Sequence, residues 1–106
     1  MQNRIAAILA IITADTETQH RVCGAEEPAD TAHEWADTGL EVSEIREYIS
    51  AECFDADQTA ALSFFGIDPD QAGHRVSGHT ETIGYRVSSR DLSADEAAEL
   101  LTTATA

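Results

Sequence analysis

At 106 residues the chain can enclose one modest core, and its 42% apolar content overstates that core because 18 residues are alanine, against eight Ile, six Leu, four Val and six aromatics. Twenty Asp and Glu face six Arg and no Lys, leaving a net charge of −14. That balance excludes a basic nucleic-acid surface; it suits either a basic partner or plain solvation in an acidic, lysine-free composition.

The first predicted element is a helix from about Asn3 to Thr13, in which Ile5, Ile8, Leu9 and Ile12 recur at helical spacing. It frays or continues toward Cys23 through the polar stretch DTETQHR. The apolar run falls short of the roughly twenty residues a membrane span needs, and Arg4 alone is a thin basic region for a secretory signal. A cytoplasmic location with no membrane partner is therefore expected. Cys23 and Cys53 are expected to be free, partly buried thiols. His20 and Cys23 offer half a metal site, but no second close pair follows, so no metal is expected.

A second helix is predicted from Pro28, a favourable first helical residue, to Thr38, with Ala32, Trp35 and Ala36 on one side. A third runs from Val42 to Ala51, with Val42, Ile45 and Ile49 inward and Glu44 and Glu47 outward. From here a rhythm sets in. LEVSE starts at Leu40, FDADQ at Phe54, IDPDQ at Ile67 and LSADE at Leu92, separated by 14, 13 and 25 residues. The double interval places one more start at HTETI, His79 to Ile83, with Thr80 as its cap.

Each unit has the grammar of a helix N-terminus: an apolar residue, a capping Asp, Ser or Thr, Ala or Pro at the first helical position, then Glu or Gln two residues on. Ser93 with Glu96 is a capping box, and Asp55 with Gln58 and Asp68 with Gln71 are its aspartate equivalents. Leu40 can staple to Ile45, although Glu41 is a poor cap. Gly39, Gly66 and Gly78 immediately precede three of the starts and are expected to supply the left-handed residue that ends the preceding helix. A period near thirteen implies helices of about nine residues joined by tight turns. In RVSGHTETIGYRVSSRD the alternation of Ile83, Tyr85 and Val87 competes as a strand signal, so a small β-hairpin near 75–88 is the alternative to a helix. The end, 101–106, is expected to fray. The resulting fold class is all-α, a single acidic domain 1–106 of six to seven short helices joined by tight Gly/Asp turns.

No nucleophile elbow, phosphate-binding glycine loop, paired-cysteine zinc signature or HExxH is present. His33 and Glu34 are adjacent and so point about 100° apart on a helix. The chain is expected not to be an enzyme and to need no cofactor. A DNA-reading helix-turn-helix is disfavoured as well, because the helix after Gly66 opens with IDPDQ where Arg or Lys would have to meet phosphates. The carboxylates divide into two groups. Asp55 and Asp68 are caps, and Asp57, Asp70, Asp95, Glu44 and Glu96 lie in first turns, where the helix dipole favours negative charge. Glu34, Asp37, Glu41, Glu47 and Glu52 have no such reason and form the candidate partner-binding set, solubility being the alternative. Tyr48 lies among them as a core residue or an interface anchor.

The run AHEWADTGLEVSEIREYISAECFDADQTAALSFFGIDPDQAG followed by TIGYRVSSRDLSADEAAELL resembles small acidic proteins carried by phages and mobile elements. The whole chain resembles the anti-CRISPR proteins directed against type I-E systems in length, charge and these residues, a class without a shared motif. The resemblance implies a monomeric, non-enzymatic inhibitor in the cytoplasm of the host bacterium. Such an inhibitor binds a Cas component, the helicase-nuclease ahead of a Cascade subunit, without touching nucleic acid, and competes with DNA for a basic channel. The other reading is a structural or regulatory helical interaction module of a phage or plasmid, unrelated to CRISPR.

Overall fold

The computed structural model describes residues 2–76, 78 and 80–105, with the side chains of Gln2, Asn3 and 102–105 excepted. Every regular element among the described residues is a helix. In chain order these are α1 (Gln2–Ile12), α2 (Thr16–Cys23), α3 (Pro28–Asp37), α4 (Val42–Ser50), α5 (Ala56–Phe64), α6 (Pro69–Ala72), α7 (Ile83–Ser88) and α8 (Ala94–Thr105). The chain divides into two compact units, Met1–Arg46 and Glu47–Ala106, the division falling inside α4.

In the first unit α1, α2 and α3 pack against one another. Ile8 and Ile12 of α1 and Ala32 and Trp35 of α3 are fully buried, and Cys23 is buried at the end of α2. Enclosing the single Trp gives a gross hydrophobic gain of roughly 4–6 kcal/mol before entropy is counted. α1 ends where expected, but the chain then starts a new helix. Asp15 takes extended backbone angles and its side chain accepts from the Thr18 N–H at 2.8 Å, so DTETQHR is a separate capped helix rather than a continuation. Arg4 acts structurally. Its guanidinium donates to the carbonyls of Ala36 at 3.1 Å and Leu40 at 2.6 Å, satisfying acceptors at the end of α3.

In the second unit the short α7 packs against α5, α6 and α8. Ala56, Thr59 and Leu62 of α5, Ile83, Gly84 and Val87 of α7, and Ala94, Ala97 and Leu101 of α8 are buried. Small residues at this spacing let helices approach closely, and they account for part of the alanine content. Gly84 is the tightest point: a Cβ there would run into Cys53 Sγ and lie 3.0 Å from the Ala51 carbonyl. Thr82 is buried beside it, donating to the Ala51 carbonyl at 2.8 Å and accepting from the Tyr85 N–H at 3.0 Å.

That pair of bonds also revises the expected frame. The cap of α7 is Thr82, not Thr80, whose carbonyl instead accepts from Arg75 Nε at 2.8 Å. His79, the expected start of that unit, lies outside the described residues. The segment Ile83–Ser88 is helical, as favoured over the hairpin, because its apolar side chains are drawn into the unit's core from one helical face. α6 stops after four residues where about nine are expected, since only Ala72 is buried and the polar stretch after it offers nothing further to bury. Gly78 has φ +90 but ends no helix, α6 having finished at Ala72, whereas Gly39 and Gly66 take the expected left-handed angles directly after α3 and α5. At the C-terminus α8 stays helical to Thr105 where fraying from 101 is expected; Ala106 lies outside the described residues.

Candidate functional site

The five acids singled out in the sequence fall in both units. In the first, Glu34 and Asp37 are exposed on α3, and Asp30, one turn before Glu34, joins them along the same side of the helix. Core-facing Thr31, Ala32 and Trp35 occupy the other side, so local sequence alone fixes which residues look outward. Asp37 is in the last turn of α3, where a negative charge works against the helix dipole by a few tenths of a kcal/mol. Glu41 is exposed ahead of α4; its N–H is taken by Glu44 Oε1 at 3.1 Å, half of a capping box, and no bond of its own carboxylate caps the helix. Behind the stripe, Glu26 accepts from the Thr31 hydroxyl at 2.6 Å. That bond, together with one to Glu34, holds the Glu26 carboxyl below its ordinary range.

In the second unit Glu47 is exposed on α4. Two other members of the expected set are less exposed. Tyr48 is 2% exposed and its hydroxyl donates to the Ile67 carbonyl at 2.5 Å, so it anchors α4 to the turn before α6 rather than a partner. Glu52 is half-buried, faces Arg75 at 4.0 Å, and takes φ +70 at the end of α4. Its backbone completes a Schellman motif, with the Glu52 N–H on the Ile49 carbonyl and the Cys53 N–H on the Tyr48 carbonyl, both at 3.0 Å.

The seven acids assigned to caps and first turns occupy those places. Asp55 and Asp68 accept from the Gln58 and Gln71 N–H groups at 3.0 and 2.9 Å, and Asp68 with Gln71 closes a full capping box. Ser93 and Glu96 close another, at 2.9 and 3.2 Å.

Sequence reasoning passed over a different feature. Phe64 and Phe65 are the exposed large hydrophobic residues among those described, their rings edge to face with centroids 5.6 Å apart. Phe64 is the last residue of α5 and Phe65 its C-cap, and both face outward.

No group of three or more His, Cys, Asp or Glu that could hold a metal occurs among the described residues. Cys23 and Cys53 are both buried free thiols, and burial pushes the Cys53 thiol up to about 12 against a weaker opposing hydrogen bond from Thr59, leaving it protonated at neutral pH. No described helix is long and apolar enough to cross a membrane. The described surface carries exposed carboxylates on helix faces and the exposed Phe64–Phe65 pair. No protein-family model, curated protein or solved structure matches the chain.

Proposed function

We propose that this protein acts by binding another protein through its acidic helical surface, as an inhibitor of type I-E CRISPR–Cas immunity. The observation that carries the binding part is the exposed acidic stripe of α3, Asp30, Glu34 and Asp37, continued by Glu41, in a chain of net charge −14. Asp30 sits in the first turn, where the helix dipole favours it, and Glu34 bonds Glu26, but Asp37 opposes the dipole in the last turn, so folding alone gives no reason to place it there. A basic surface does. Such carboxylates raise the association rate with a positively charged channel and compete with the phosphates that would occupy it. The CRISPR target comes from the resemblance of the chain to anti-CRISPR proteins, with the helicase-nuclease favoured over a Cascade subunit; the mechanism is steric and electrostatic, with no bond made or broken.

The test is expression in a bacterium with active type I-E immunity, followed by plating of a targeted phage. Plaques should appear at the efficiency seen without immunity. Reversing Glu34, Asp37, Glu41 and Glu47 to Lys should abolish this protection while the helical circular-dichroism signal stays unchanged, because none of these side chains is buried. Full immunity despite high expression of the native chain overturns the CRISPR target and leaves the helical interaction module of a phage or plasmid. Protection that survives the four reversals assigns those acids to solvation.

A further inference from the structure

Phe64 is 86% exposed and Phe65 48%, in a chain whose Trp35 and Tyr48 are essentially closed to water. The pair is also held in place. Phe64 is the last residue of α5 and Phe65 its C-cap, and the backbone around them is pinned by the Phe65 N–H on the Ala61 carbonyl at 3.1 Å and by a Schellman motif. In that motif the Gly66 N–H reaches the Ser63 carbonyl and the Ile67 N–H the Leu62 carbonyl, both at 3.0 Å, with Gly66 at φ +79. The backbone that presents the two aromatics is thus already ordered and loses little further freedom on docking, which suits an interface anchor.

Their electrostatic setting selects the occupant. From Glu47 to His74 the chain carries Glu47, Glu52, Asp55, Asp57, Asp68 and Asp70 and not one Arg or Lys. Asp68 and Asp70, both exposed, follow Phe65 by three and five residues. We propose that Phe64 and Phe65 anchor a docking surface for a partner protein that presents an apolar pocket bordered by Arg or Lys, the rings filling the pocket and the carboxylates of Asp68 and Asp70 meeting its rim. Arginine at such a rim also gains from the aromatic faces. A second copy of this chain fits badly, because it would bring two cation-free acidic segments together. This inference rests on the reading that the protein works by binding a protein; it is independent of whether that protein is a Cas component.

A random-peptide display library panned against the native chain supplies the probe. Selected peptides are then synthesised and titrated by fluorescence anisotropy against the native protein, Phe64→Ser/Phe65→Ser and Asp68→Asn/Asp70→Asn, asparagine keeping the cap of α6 while removing the charge. The peptides should combine apolar residues with Arg or Lys. Affinity should fall about tenfold or more for the Phe variant and about threefold or more for the Asp variant, and should weaken with added salt. Should the double Phe variant lose helicity, Phe64→Ala, at the more exposed position, must show the loss in the same direction. Peptides without basic residues, peptides that bind the Phe variants as well as the native chain, or no selected peptide at all overturn the proposal. So does a concentration-dependent dimer abolished by the Phe variant, which makes a second copy the occupant. No Cas protein enters this assay, so its failure and a failure of the phage-plating test are separate results.

Discussion

A side chain at position 84 would have nowhere to go. Gly84 brings α7 against the Ala51 and Ala72 carbonyls and the buried Cys53 sulfur, with contact distances to a Cβ of 3.0 and 3.3 Å for the two backbone oxygens. Backbone carbonyls give way less easily than side-chain ends, so Gly84→Ala should lower stability by roughly 1–3 kcal/mol in urea unfolding followed by circular dichroism. Cys53→Ala in the same molecule should recover part of that loss, because it removes the sulfur and leaves the carbonyls. Residue identity gives no hint of this, since the glycine stands inside what the sequence offers equally as helix or strand. The buried threonines are similarly silent in the sequence. Thr59 donates to the Asp55 carbonyl at 2.7 Å and Thr31 to Glu26, both local partners, whereas Thr82 donates to Ala51, a partner only the fold supplies.

Helix beginnings and helix ends differ in how much of them can be read. Beginnings are written in side chains: Asp55, Asp68 and Ser93 cap as expected, because Asp or Ser followed three residues on by Gln or Glu is a local pattern. Asp15 escapes notice because its third residue on is Thr18, so the reciprocal half of the box is missing. Ends are written in backbone. Gly66 announces its left-handed turn, but the same Schellman geometry closes α4 at Glu52 and α7 at Arg90, with φ +70 and +67. At Arg90 the N–H bonds the Val87 carbonyl at 3.0 Å and the Asp91 N–H the Arg86 carbonyl at 2.9 Å. A non-glycine residue there bears the left-handed penalty, and the packing on either side holds it. Arg90→Gly should therefore stabilise the protein by roughly 0.5–1 kcal/mol, the relieved penalty less the entropy of a looser unfolded chain, seen as a higher urea midpoint with an unchanged slope.

Over the whole molecule the excess of 14 negative charges opposes compaction. Screening should relieve it, so raising NaCl from low to about 0.5 M should increase the melting temperature; each kcal/mol of relief corresponds to roughly 4–8 °C for a domain of this size. Acid acts through the carboxyls of Asp15, Glu26 and Asp95. Their values are lowered by the Thr18 backbone N–H, the Thr31 hydroxyl and the Ser93 hydroxyl respectively, so their contribution is present above the ordinary carboxylate range and is lost as pH falls through the folded values. Thermal melts should thus give a lower midpoint at pH 3 than at pH 5, and an equal or higher midpoint at pH 3 would contradict this account.

The sequence by itself determined the all-helical class, most helix starts and the outward face of α3, because capping and 3.6-residue periodicity act within a few residues of chain. It also set the net charge of −14. Tertiary structure decided the fate of the candidates outside α3. It withdrew Tyr48 into the core through the Ile67 carbonyl and half-buried Glu52 just beyond α4, while leaving Glu41 and Glu47 in solvent. It turned Phe64 and Phe65 outward as well. Whether an aromatic is buried depends on what packs over it, and in this chain that cover comes from helices distant in sequence, which no local pattern encodes.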